Sequence, residues 1–97
     1  MSVIIGHLSL ELHFPLAHSL KEKRKSLKRI KEKVTHRFNV SLIESAYQDK
    51  WQRSKIDIAI IGIDQQAIEN TIQNILHLID EVSIGEIQTL SAEIEWH

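Results

Sequence analysis

The chain has 97 residues, 42% of them hydrophobic and 26% charged, with a formal net charge of −1. That make-up suits one domain over 1–97 with its own core and leaves no room for a separate catalytic lobe. There is no cysteine, which excludes disulfides, thiolate zinc sites and cysteine nucleophiles.

The opening run MSVIIGHLSLELHF has no basic leader and is broken by Gly6, His7, Ser9 and Glu11. Neither a signal peptide nor a membrane span is expected, and a cytoplasmic protein is. Residues 3 to 14 alternate, with Ile4, Gly6, Leu8, Leu10, Leu12 and Phe14 on one face and His7, Ser9, Glu11 and His13 on the other, the pattern of a half-buried strand. Pro15 stops it. Ser19-Leu20-Lys21-Glu22 fits a capping box that opens a helix over about Leu20 to Arg37. Its apolar stripe is Leu20, Leu27, Ile30 and Val34, continued by Phe38, and Asn39 is expected as a left-handed stop.

Val40–Ile43 and Ile56–Ile61 are β-rich runs separated by a polar stretch, which predicts a long hairpin with an irregular tip. Asp64 caps a second helix over about Gln65 to Val82, whose Ala67, Ile68, Ile72, Ile75, Leu76 and Ile79 recur at helical spacing. Gly85 marks a turn. Residues 86 to 96 alternate again, Leu90, Ala92, Ile94 and Trp96 against Thr89, Ser91, Glu93 and Glu95. The order βαββαβ is the split-βαβ or ferredoxin-like arrangement. This α+β sandwich has a four-stranded antiparallel sheet in the order 4-1-3-2, both helices on one face and the other face open.

Three segments together, Ala17-His18-Ser19-Leu20-Lys21-Glu22-Lys23-Arg24, Arg37-Phe38-Asn39-Val40-Ser41 and Gln48-Asp49-Lys50-Trp51-Gln52-Arg53, resemble the bacterial YlxP-like family over nearly the whole chain. The resemblance implies a small ferredoxin-like protein whose gene neighbourhood is that of translation and ribosome maturation. It brings no catalytic residues with it.

Charge is divided unevenly. Residues 1–37 carry nine Lys/Arg against three Asp/Glu, and residues 38–97 carry three against ten. All nine basic residues of the first part fall between Leu20 and Arg37, opposed there only by Glu22 and Glu32. Lys21, Lys25, Lys28, Arg29 and Lys33 spread over the face opposite Leu27 and Val34. Lys21, Lys23 and Arg24 occupy first turns that the helix dipole already makes positive. Lys23 falls within the apolar stripe, and its ammonium is expected to run out beyond the helix start. Cations around a helix N-terminus suit an anion, so Lys21, Lys23, Arg24, Lys25 and Lys28 are the expected RNA phosphate contacts. A solvated helix kept basic for solubility, or paired with the acidic second half, is the plain structural alternative. At the tip, aromatic and basic side chains interleave, and Trp51 and Arg53 are the expected base or groove contacts. Tyr47 and Trp51 also suit a core or a dimer interface.

The outward strand positions, His7, Ser9, Glu11 and His13 with Asp57, Ala59 and Ile61, form no aromatic platform. With Glu93 and Glu95 this face is expected to be acidic and to repel phosphate. Histidine beside carboxylate permits a metal, with His7 toward Glu93 or Glu95 and His13 toward Asp57. His7 and His13, however, lie about 20 Å apart on one strand and cannot share an ion within one subunit. No metal and no cofactor is expected. Nor is an enzyme: the loop Phe14-Pro15-Leu16-Ala17-His18-Ser19 lacks the glycines and arginine of an acylphosphatase phosphate loop, and Ser19 has a better role as a cap. The leading expectation is a non-enzymatic, RNA- or ribosome-associated module. The alternative is a homodimeric interaction module, pairing through the open sheet or an edge strand, with no RNA.

Overall fold

The computed structural model describes residues 2–83 and 85–97. The alternating first segment forms β1 (Ile4–His13) and the capped segment α1 (Leu20–Arg37); β2 (Ser41–Ala46), β3 (Arg53–Gly62), α2 (Gln65–Val82) and β4 (Gln88–Trp96) follow. The sheet runs β2-β3-β1-β4, every neighbouring pair antiparallel. This is the expected order read from the opposite edge. Because period two sends alternate residues to one side, Leu8, Leu10 and Leu12 of β1 meet Ile56, Ile58 and Ile60 of β3 beneath the helices, all buried. Leu27, Ile30 and Val34 of α1 and Ile68, Ile72, Ile75, Leu78 and Ile79 of α2 close the core from above.

Both helix starts follow the sequence. The Ser19 hydroxyl accepts the Glu22 N–H at 3.1 Å, and the Asp64 carboxylate accepts that of Gln66 at 3.1 Å. The Glu22 carboxylate reaches one residue further back than a strict capping box requires and takes the His18 N–H. The end of α1 departs from expectation. Asn39 is not left-handed; the chain leaves through an extended Phe38 (φ −125°), whose N–H still bonds the Val34 carbonyl at 2.9 Å. Phe38 packs against the core, and that anchoring directs the chain straight toward β2. Among the described residues other than glycine, positive φ falls instead on Tyr47 (φ 62°), at the hairpin tip.

Two further features position the sheet surfaces. Gly6 lies under α2, where an added Cβ would stand 2.6 Å from Ile68 Cγ2 and 3.2 Å from Trp96 Cζ3, so only glycine allows this close approach. In β4, Ser91 faces Glu11 but Thr89 already faces Leu12. Leu90 is thereby extruded as a bulge, and Thr89 and Gln88 on its N-terminal side change register. Leu90, expected beside Ala92 and Ile94, instead lines a cavity with His13 and Trp51.

Candidate nucleic-acid interface

Helix α1 packs its Leu27, Ile30 and Val34 stripe downward, so a turn of 100° per residue sends Lys21, Lys25 and Lys28 outward. Both are consequences of one periodicity, and all three lysines are exposed. One flank of the helix faces α2, where Arg29, Lys33 and Arg37 share a groove with Leu78, Glu81 and Val82. Arg29 also pairs with Glu86. The opposite flank carries Arg24 and Lys31, both exposed, on the side turned away from the acidic residues of α2. Lys21, Arg24, Lys28 and Lys31 thus form one stripe, about 15 Å long at 1.5 Å per residue. Among the described residues its one ion pair is Lys28 to Glu32, at 3.8 Å and largely in solvent, a type worth about 0.3–0.5 kcal/mol.

Lys23 does not belong to that surface. Its side chain is 0% exposed, and its ammonium donates to the Glu44 carboxylate at 3.0 Å, the Tyr47 carbonyl at 2.7 Å and the Arg53 carbonyl at 3.2 Å. Contrary to expectation, this cation does not reach out to phosphate. The angle that places Lys23 in the apolar stripe points it at the end of the β2–β3 ladder, and three acceptors satisfy all three of its protons. The Glu44 carboxylate also accepts the buried Ser54 hydroxyl at 2.6 Å. Lys23 is therefore a clasp that joins the start of α1 to both roots of the hairpin tip.

Arg53 is also committed within the chain. Its guanidinium forks onto the Glu11 carboxylate across the sheet and covers the Tyr47 ring, 4.2 Å from the centroid. It is spoken for rather than held out to a base. Trp51 is 55% exposed. With Tyr47, Lys50, His13 and Leu90 it borders an open cavity of about 520 Å³. The tip is tied to the start of α1 a second time, through the Gln52 amide, which donates to the Ala17 carbonyl at 3.1 Å and the Pro15 carbonyl at 3.3 Å. Lys21, Arg24 and Lys25 on one side and Lys50 and Trp51 on the other therefore share one end of the molecule. Ser19, engaged as the cap, is not paired with His18.

The open sheet face is less acidic than its sequence implies. Glu11 is answered by Arg53, and Lys55 lies 4.0 Å from Asp57. Asp57 takes hydrogen bonds from Ser9, Ser45 and His7, the last at 2.6 Å. Burial alone raises its pKa, but the Ser45, Ser9 and His7 bonds and the Lys55 charge more than reverse this and hold it at about 2. The register sets which histidine reaches it. Asp57 faces Ser9 and sits diagonal to His7, whereas His13 faces Arg53 and Gln88 and bonds the Gln88 amide oxygen at 3.2 Å. At the far end of the face Ile5, Ile43 and Ile61 are exposed at 38%, 57% and 64%. Among the described residues, the metal-capable side chains of His7, Glu95 and His97 converge at the β4 edge. His97 escapes a reading of strands alone, although its i, i+2 spacing from Glu95 already places the two on one face. No described helix is long and apolar enough to cross a membrane.

Comparison with known proteins agrees with this architecture. A C-terminal segment of the alpha subunit of aIF2 from Pyrococcus abyssi matches 96% of this chain and 52% of its own, with a TM-score of 0.58 at 18% identity. A dimeric ferredoxin-like protein from an uncultured marine organism matches 99% and 96%, with a TM-score of 0.50 at 6% identity. At such identities the likeness concerns the fold, and the fold is ferredoxin-like. The uncharacterized protein YlxP of Bacillus subtilis (strain 168) is 41% identical over 93 residues, covering 96% of this chain and 99% of the relative. Residues 5–94 match the family described as a protein of unknown function, DUF503. The chain is a YlxP-like member of the DUF503 family.

Proposed function

We infer that the protein is a non-enzymatic module that binds structured RNA, of the ribosomal class, through the outer stripe of α1 and the adjoining hairpin tip. One observation carries this reading: Lys21, Arg24, Lys28 and Lys31 line up on one exposed side of α1, turned away from the acids of α2, with a single weak ion pair among them within the described residues. Four cations held in line on a rigid helix suit a phosphate backbone. Lys25 and Lys50 flank the stripe, and Trp51 offers an exposed ring on which one unpaired base can stack. Lys23 and Arg53 hold the surface in shape instead of touching the ligand.

The test is fluorescence anisotropy with a structured ribosomal RNA fragment at two or more salt concentrations. Changing Lys21, Arg24 and Lys28 together to Glu weakens binding by well over about tenfold and makes the log K against log salt slope shallower by about 2 to 3. Unchanged affinity and slope overturn the assignment.

A second reading, a homodimer with no RNA ligand, draws on the exposed Ile5, Ile43 and Ile61, an apolar strip of the kind that marks interaction surfaces. Equilibrium sedimentation decides it: this reading requires a dimer that Ile43→Lys with Ile61→Lys converts to a monomer.

A further inference from the structure

We propose that His7 Nδ1, the Glu95 carboxylate and His97 Nε2 form a binding site for a divalent transition-metal ion of the zinc class, on the open sheet face and independent of α1. The β1–β4 ladder builds it. His7 faces Glu95 directly, and two residues further along reciprocal 2.9 Å bonds join the Ile5 and His97 backbones, which set the His97 ring beside the same carboxylate. Glu95 Oε2 lies 4.0 Å from His7 Nδ1 and 3.6 Å from His97 Nε2, and all three ligand atoms fall within 4.8 Å of one another. Ligands at about 2.0–2.1 Å from a tetrahedral ion stand about 3.3 Å apart. Closing on an ion therefore takes shifts on the order of 1 Å, which the exposed Glu95 and His97 side chains supply by rotation about their own bonds.

A second observation points the same way. His7 Nε2 is 2.6 Å from Asp57 Oδ1, and a carboxylate can only accept, so the ring proton sits on Nε2. Nδ1 is then the nitrogen left for a metal, on the side of the ring that faces Glu95. Asp57 is itself fixed by the Ser9 and Ser45 hydroxyls. A carboxylate that orients a histidine from behind is the outer support found at zinc sites. Two imidazoles and one carboxylate favour zinc over calcium or magnesium, and three protein ligands leave a fourth position for water or an anion. Zn²⁺ here needs neither cysteine nor the distant His13.

The test titrates the full chain with Zn²⁺ alone against a chromophoric chelator, and with Co²⁺ followed by visible absorption. The expected result is one ion per chain and a tetrahedral Co²⁺ spectrum. His7→Ala and His97→Ala each weaken Zn²⁺ binding on the order of 100-fold, and Asp57→Asn weakens it about 10- to 100-fold. His77→Ala on α2, an exposed histidine elsewhere, leaves it unchanged. His97→Ala alters only an exposed side chain, so its circular dichroism and urea midpoint match those of the unmodified protein. Absence of stoichiometric Zn²⁺ at micromolar protein, or equal affinity in the unmodified, His7→Ala and His97→Ala proteins, overturns the proposal.

Discussion

Replacing Lys23 with methionine keeps the aliphatic stem and deletes the buried ammonium. What remains is the Glu44 carboxylate, its side chain 17% exposed, supported by the Ser54 hydroxyl alone, and two tip carbonyls that lose a donor. Removing one partner of a buried pair costs about 3–5 kcal/mol, a large share of the roughly 5–15 kcal/mol that holds a domain together. At about 4–8 °C per kcal/mol for this size, the melting temperature falls by about 12–40 °C. Adding Glu44→Gln removes the stranded charge and restores roughly 2 kcal/mol. Urea titration followed by circular dichroism measures both steps. If Lys23→Met costs less than about 1 kcal/mol, or the double variant is no more stable than the single one, the ammonium is solvated and the clasp argument fails. On the proposed reading, RNA affinity of the folded Lys23→Met protein falls less than that of the Lys21, Arg24 and Lys28 triple variant, because the Lys23 ammonium holds the tip and does not itself face the ligand.

Asp57, held at about 2 against an ordinary 3.8, favours the folded state when ionised. That contribution is complete above about pH 4 and is lost as the pH falls through 2, about 2 kcal/mol in all. Urea midpoints measured from pH 6 to 2 should fall more steeply for the unmodified protein than for Asp57→Asn, and parallel curves would refute the coupling. Gly6→Ala drives a methyl group into Ile68 and Trp96 and costs about 1–3 kcal/mol; an unchanged urea midpoint would show that α2 does not sit so close. Trp51→Ala changes stability by less than about 0.5 kcal/mol, as expected of an exposed side chain, yet lowers RNA affinity by about 1–3 kcal/mol. A variant losing stability but not affinity would place Trp51 in the packing.

Periodicity alone determined the six elements, because a buried face imposes its repeat on the chain: period two in β1, where Leu8, Leu10 and Leu12 alternate with His7, Ser9 and Glu11, and period 3.6 in Leu27, Ile30 and Val34. Ser19 and Asp64 announced both helix starts for a similarly local reason, since a cap bonds within three residues of itself. The basic face of α1 was legible in the same way. What only the tertiary structure decided is which of those charges are free. The partners of Lys23 lie 21 to 30 residues away, that of Arg53 lies 42 away, and those of His7 lie on two other strands. Register selects such partners, and the bulges at Ser45 of β2 and Leu90 of β4 shift it. Local sequence can state that a lysine is charged and where it sits on a helix. Whether a carboxylate from another strand waits at its tip depends on how the sheet is aligned, which no local pattern encodes.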